Sequence, residues 1–170
     1  MKRTTARSAS LALLLCLGGC AARGLRVEVD VPPGEAASIG TFRAIVHHPG
    51  GRNQEITGPR DGTIAGVWLE DVCGGGHPEM ILWMVSAGSG SYATIAVYGL
   101  ETPDAERLDL APLPDDVAQG YRGHDRIDIR EGRIIRIFPT YRSADTNAAP
   151  TGGETRLAYS FATGAWIREP

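Results

Sequence analysis

Ser86-Ala87-Gly88-Ser89-Gly90-Ser91-Tyr92 is the most informative stretch of the 170-residue chain. Two glycines within three residues permit positive φ angles and a sharp reversal. The stretch fails the usual enzyme templates. A dinucleotide-binding loop needs glycine where Ala93 stands, and a nucleophile elbow needs glycines where Ala87 and Ser91 flank Ser89. Read locally, it is a hairpin turn. The functional alternative is a narrow protruding tip: small residues enter a cleft, hydroxyls hydrogen-bond carboxylates, and the amphipathic ring of Tyr92 anchors the base.

Other candidates are weaker. Asp71 to Glu79 faintly resembles a calcium loop, but Cys73 and Gly75 stand where oxygen ligands are needed, so it reads as a turn into the next strand. Cys73 and His77 are too few for zinc. His47 and His48 would point to opposite faces of a strand, which disfavours a joint metal site. Arg126, Arg130, Arg133 and Arg136 interleave with Asp125, Asp128 and Glu131, the pattern of a charged sheet face and not of a nucleic-acid track. A hydrolase built from His124, Asp125 and a loop serine is a third reading, and adjacency in sequence does not establish a triad. No metal or cofactor is implied.

These residues need a scaffold, and the first twenty residues are not part of it. Lys2, Arg3 and Arg7 precede the apolar run Leu11 to Leu17, too short to span a bilayer and typical of a secretory signal. The run ends in Leu17-Gly18-Gly19-Cys20, which resembles the lipobox of bacterial lipoproteins. Residues 1–19 are therefore expected to be a signal peptide, Cys20 a lipidated residue, 20–24 a tether and 25–170 the folded domain. Ala21 after the cysteine goes with outer-membrane sorting in such lipoproteins, facing the periplasm. Removing Lys2, Arg3 and Arg7 from the 17 basic residues leaves 14 against 20 acidic ones, a net charge of −6. Lys2 is the only lysine, so the remaining domain is lysine-free. Without a bulk basic field, nucleic acid is not an expected partner. Cys73 is left without an intramolecular partner, so a packed core must supply the stability.

The scaffold reads as all-β. Arg26 to Val31 alternates polar and apolar, and Pro32-Pro33-Gly34 ends it. Phe42–His48 and Thr63–Leu69 are further candidates. Met80 to Val85 is continuously apolar, as expected for the centre of a sheet. Tyr92–Leu100 alternates again, and Arg107–Leu110 suits a short edge. Asp125–Ile129 and Arg133–Phe138 flank Glu131-Gly132, while Thr155–Phe161 and Ala165–Ile167 flank Thr163-Gly164, both hairpin signals. The expected architecture is an antiparallel β-sandwich, or a barrel, of about eight strands.

Two blocks resemble a known family. Pro78-Glu79-Met80-Ile81-Leu82-Trp83 running into Ser86–Tyr92 is similar to the periplasmic inhibitor of I-type lysozyme (PliI) family. A second block follows the same order: Gly120-Tyr121-Arg122-Gly123-His124-Asp125, then Phe138-Pro139-Thr140-Tyr141, then Asp145-Thr146-Asn147 and Pro150-Thr151-Gly152. The resemblance covers about 78–161. It implies a non-enzymatic β-sandwich that blocks invertebrate-type lysozymes with a Ser-Gly-x-Tyr loop, here Ser89-Gly90-Ser91-Tyr92. Ser89 would hydrogen-bond catalytic groups, Gly90 would provide the turn, and Tyr92 would add a second contact. In the second block, Tyr121, His124, Asp125 and Asn147 would form a network pinning loops, and Asp145 and Thr151 would rim the interface. The implied partner is an I-type lysozyme, with other lysozyme classes and a homodimer left open. The rival reading is an envelope binding or assembly lipoprotein that recognises glycan or an outer-membrane partner.

Overall fold

The computed structural model describes residues 24–170. The expected signal peptide, Cys20 and all of the tether but Gly24 lie outside the described residues. Eleven strands and one helical turn follow in order: β1 (Arg26–Asp30), β2 (Ile39–His47), β3 (Asn53–Asp61), β4 (Thr63–Glu70), β5 (Glu79–Val85), β6 (Ala93–Gly99), β7 (Arg107–Leu108), α1 (Asp115–Ala118), β8 (Arg126–Arg130), β9 (Arg133–Pro139), β10 (Glu154–Ser160) and β11 (Ala165–Arg168). They form three antiparallel sheets, ordered β1-β2-β3, β4-β5-β6-β7 and β11-β10-β9-β8. No helix among the described residues is long and apolar enough to cross a membrane.

The middle sheet is covered on both faces, which explains the continuous apolar run in β5. Side chains alternate across a strand. Met80, Leu82 and Met84 pack with Phe42, Ala44, Val46 and Ile56 of the first sheet. Ile81, on the opposite face, packs with Ile134, Phe138, Leu157 and Trp166 of the third. Burying a side chain such as Ile81 or Leu82 contributes about 1.5–3 kcal/mol.

The expectation of an all-β, sandwich-like fold of packed antiparallel sheets holds, with three sheets and, among the described residues, eleven strands where about eight were expected. β3 escaped the sequence reading because its inward positions include Gln54 and Arg60, and because it carries Gly58 and Pro59. Both polar residues are buried and satisfied by backbone carbonyls. Gln54 donates to Thr102 at 2.7 Å. Arg60 donates to Ala37 at 2.9 Å, to Ala36 at 2.8 Å and to Gly62. At Gly62 the chain crosses from the first sheet to the second. A β-carbon there would lie 1.8 Å from the Val85 carbonyl oxygen, and φ is +96°.

Strand registers give the molecule two poles. His47 pairs with Arg26 and Asn53, and Glu79 pairs with Glu70 and Gly99. The bond from Gln54 to Thr102 joins these ends of the two sheets, so Arg26 lies at their pole. At the other pole Ile39 pairs with Asp61, and Val85 pairs with Thr63 and Ala93. The third sheet places the start of β8 and the end of β9 at this second pole, because Asp125 bonds the Ala93 amide. The Ser86–Tyr92 loop therefore sits at one pole and the start of β1 at the opposite one.

Candidate functional site

The β5–β6 connection is closed at its base by two bonds between Ser86 and Tyr92. The Ser86 amide donates to the Tyr92 carbonyl at 2.9 Å. The Tyr92 amide donates to the Ser86 hydroxyl at 3.0 Å. Positive φ falls on Gly88 (122°) and Ser91 (46°) and not on Gly90. The reversal is thus made on either side of Gly90, whose own role is close approach. A β-carbon there would lie 2.3 Å from the Tyr92 ring. Ser89 is exposed, and Tyr92 keeps 46% of its surface open.

The loop rests on a buried polar cluster. Asp125 has no exposed side-chain surface. One of its carboxyl oxygens accepts the Ala93 amide at 3.0 Å and the Tyr121 hydroxyl at 2.5 Å. The other accepts Arg136 Nε at 2.6 Å. Arg136 also donates to the Tyr121 hydroxyl at 2.7 Å, closing a three-membered network. Its guanidinium lies over the rings of Tyr121 (4.9 Å) and Phe138 (5.7 Å). Burial, reinforced by the bond to Asp125, pushes the Tyr121 phenol well above its ordinary range, so it remains a donor. The Tyr92 ring meets Tyr121 edge-on at 5.5 Å, and Tyr121 meets Phe138 at 4.8 Å. The loop is therefore stacked on the core through aromatic contacts.

A second attachment runs through the backbone. The His124 amide donates to the Gly90 carbonyl at 2.7 Å. Gly123 and His124 both hold positive φ, 87° and 61°.

Asp145 and Thr151 form a separate turn at the same pole. The Asp145 carboxylate accepts the Arg142 amide at 2.7 Å, the Thr151 amide at 2.8 Å and the Thr151 hydroxyl at 2.8 Å. These bonds, the backbone ones foremost, hold its carboxyl below the ordinary aspartate range. Asn147 contributes its carbonyl, which accepts the Tyr141 hydroxyl at 3.1 Å. Arg122 ties the turn to the Tyr121 segment by donating to the Asp145 carbonyl at 2.7 Å.

The structure thus brings Tyr121 and Asp125 under the loop side chain to side chain, and His124 through its amide. Asp145, Asn147 and Thr151 lie in the neighbouring turn. Among the described residues no serine relay forms: Asp125 is engaged by Tyr121, Arg136 and Ala93, while the His124 ring leans toward Tyr141 at 6.5 Å. Sequence reasoning placed Arg136 on a charged face and missed its inward role. The available signal was its position on the same side of β9 as Ile134 and Phe138, both core residues.

The calcium-like segment is used up internally. Asp71 accepts the Gly74 amide at 2.7 Å and the Gly76 amide at 2.8 Å. Buried Glu79 accepts the Val72 amide at 2.9 Å and the Cys73 amide at 3.2 Å. Among the described residues no group of three or more His, Cys, Asp or Glu could hold a metal. A cleft of about 340 Å³ beside Cys73, His77, Glu101 and Leu108 lies at the pole away from the loop.

The profile of the family described as periplasmic lysozyme inhibitor of I-type lysozyme matches residues 23–116. The chain belongs to this family. The matched stretch spans β1 to β7 and includes the whole Ser86–Tyr92 loop. It ends before Tyr121, so the second block of resembling motifs, and the Asp125–Arg136 cluster with it, lies beyond the match. PliI from Aeromonas hydrophila, solved in complex with Meretrix lusoria lysozyme, is 32% identical. That likeness covers 54% of this chain and 83% of that one, with a TM-score of 0.44. The same inhibitor solved as PliI-Ah gives 30% identity, coverage of 54% and 87%, and a TM-score of 0.43. A Xanthomonas protein related to type IV secretion is 13% identical over 87% of this chain and 90% of its own, with a TM-score of 0.36. Comparison with curated proteins gives no match.

Proposed function

We propose that this PliI-family protein is an envelope inhibitor of I-type lysozyme and that its Ser89–Tyr92 loop enters the lysozyme cleft. The observation that carries this reading is a Ser-Gly-Ser-Tyr tip inside the family-matched stretch that exposes Ser89 and Tyr92 while Gly90 is buried against Gly123 and His124, with Asp125 and Tyr121 bracing it from below. A retaining glycosidase holds two carboxyl groups roughly 5 Å apart in an open groove. The Ser89 hydroxyl can donate to one of them, and the tip offers no glycosidic bond to cleave. Bracing lowers the entropic cost of binding, because the loop is ordered before it meets its target. A net charge of −6 on the mature chain would steer it toward a basic lysozyme. The protein acts by occupancy and not by turnover. A lipid on Cys20, with outer-membrane attachment facing the periplasm, belongs to the same proposal and is supported by the Leu17–Cys20 motif.

The deciding experiment is a lysis assay with the purified protein against I-, C- and G-type lysozymes. Suppression of the I-type enzyme at about stoichiometric amounts is expected. Absence of binding to all three would refute the proposal. Labelling with radioactive palmitate, abolished by Cys20→Ala, tests the anchor.

A further inference from the structure

A four-residue tip is too small to hold a protein partner. A stable interface takes about 800 Å² and 20–30 residues from each side. The surface around the tip must therefore contribute, and the structure distinguishes among its neighbours. The 142–151 turn is polar, with the Asp145 carboxylate already committed to its own backbone. The segment 31–39, Val-Pro-Pro-Gly-Glu-Ala-Ala-Ser-Ile, is different in kind.

Ile39, 69% exposed, lies with Tyr92 at the loop's pole, and Val31, 44% exposed, follows Asp30, which pairs with Arg43 at the middle of β2 and so begins the segment that leads to that pole. The one charge in the segment, Glu35, is turned back on the chain. It accepts the Thr41 amide and the Thr41 hydroxyl, each at 2.7 Å. Arg60, 2% exposed, fixes the backbone from beneath by donating to the Ala36 and Ala37 carbonyls. The segment also abuts the tip's base. The Gly62 amide donates to the Ser38 carbonyl at 2.9 Å, and Gly62 is packed against Val85 and Ser86. A mostly apolar, pre-ordered segment whose one carboxylate is engaged by its own chain has the composition of an interface core.

We propose that residues 31–39 form a second contact surface, seated on an apolar lip of the lysozyme beside the cleft that the tip fills. This rests on the inhibitory reading of the loop. Ile39 and Val31 anchor the contact, and Arg60 is a positioning residue.

Surface plasmon resonance of the purified protein against an I-type lysozyme tests it. Ile39→Asp should weaken binding at least about tenfold, through faster dissociation and with an unchanged melting temperature. Ile39→Ser should weaken it less. Ile167→Asp, on the outer face of β11 and 52% exposed in the wild type, should bind normally. Amide exchange across 34–39 should slow in the wild-type complex. If Tyr92→Ala loses binding while both Ile39 variants bind like wild type and exchange at 34–39 is unchanged, the second surface is wrong and the loop reading stands. If wild type binds no I-type lysozyme, both readings fall together.

Discussion

The carbonyl oxygen of Gly90 occupies the space a β-carbon on Gly123 would need: the two would be 1.8 Å apart. The tip and the strand-leading segment beneath it touch backbone to backbone at this point, and the His124 amide bonds the same oxygen. Gly123→Ala must push the tip away and also strain a residue at φ +87°. Such strain alone costs about 1–3 kcal/mol. Urea denaturation should show at least that loss, and the concentration needed to inhibit lysozyme should rise by more than the stability change explains.

The Asp125–Arg136 pair calls for a double-mutant cycle. Removing one partner of a buried pair leaves the other charge unmatched, at about 3–5 kcal/mol. Asp125→Ala and Arg136→Met should each destabilise by that order. The double variant should cost clearly less than the sum, as read from chemical denaturation. Strict additivity would show that the pair is not coupled.

Ser89→Ala and Tyr92→Ala separate binding from folding. Ser89 is exposed, so its loss should leave the melting temperature unchanged while inhibition weakens. Tyr92→Ala also removes the edge-on contact with Tyr121, worth about 0.5–1.5 kcal/mol. Tyr92→Phe keeps that contact. If it inhibits like wild type, the ring and not the hydroxyl is what the partner reads.

Acid should loosen the Asp145 turn. The folded carboxyl titrates below the ordinary aspartate value of 3.8, so the charged form is favoured by folding. The stabilisation is complete above that value and disappears as pH falls through the lower folded one. Amide protection at Arg142 and Thr151, followed between pH 5 and 2, should fall in that window. Asp145→Asn should remove the pH dependence.

The lone thiol among the described residues should be sluggish. Cys73 is exposed, yet desolvation of its thiol, with Glu79 beside it, pushes it up to about 12. Since the thiolate is the nucleophile, iodoacetamide at pH 8 should label the folded protein about a hundredfold or more slowly than the urea-unfolded chain. Equal rates would contradict the environment described for this sulfur.

Strand β5 was readable from sequence because burial on both faces leaves an unbroken apolar run, Met80 to Val85. Strand β3 was not, because Gln54 and Arg60 face inward and are matched by carbonyls distant in sequence. The same asymmetry divides the site. Ser89 to Tyr92 is a local pattern, visible wherever the chain is read. Its support is nonlocal: Ala93 and Asp125 are 32 residues apart, and Arg136 looks like any surface arginine until its strand partners are known. Even Gly90 was legible only as a glycine, since its need for space arises from where Tyr92 turns its ring.

The opposed positions of β1 and the tip give the molecule a handle and a working end. β5 is seven residues long, which puts its two ends about 20 Å apart. Whatever holds the chain upstream of Gly24, whether lipid, resin or fusion partner, grips it at the heel and leaves the tip pointing outward. A bulky enzyme could then dock without meeting the surface to which the inhibitor is fixed. Threading a label onto the Ser86–Tyr92 side would reverse that advantage.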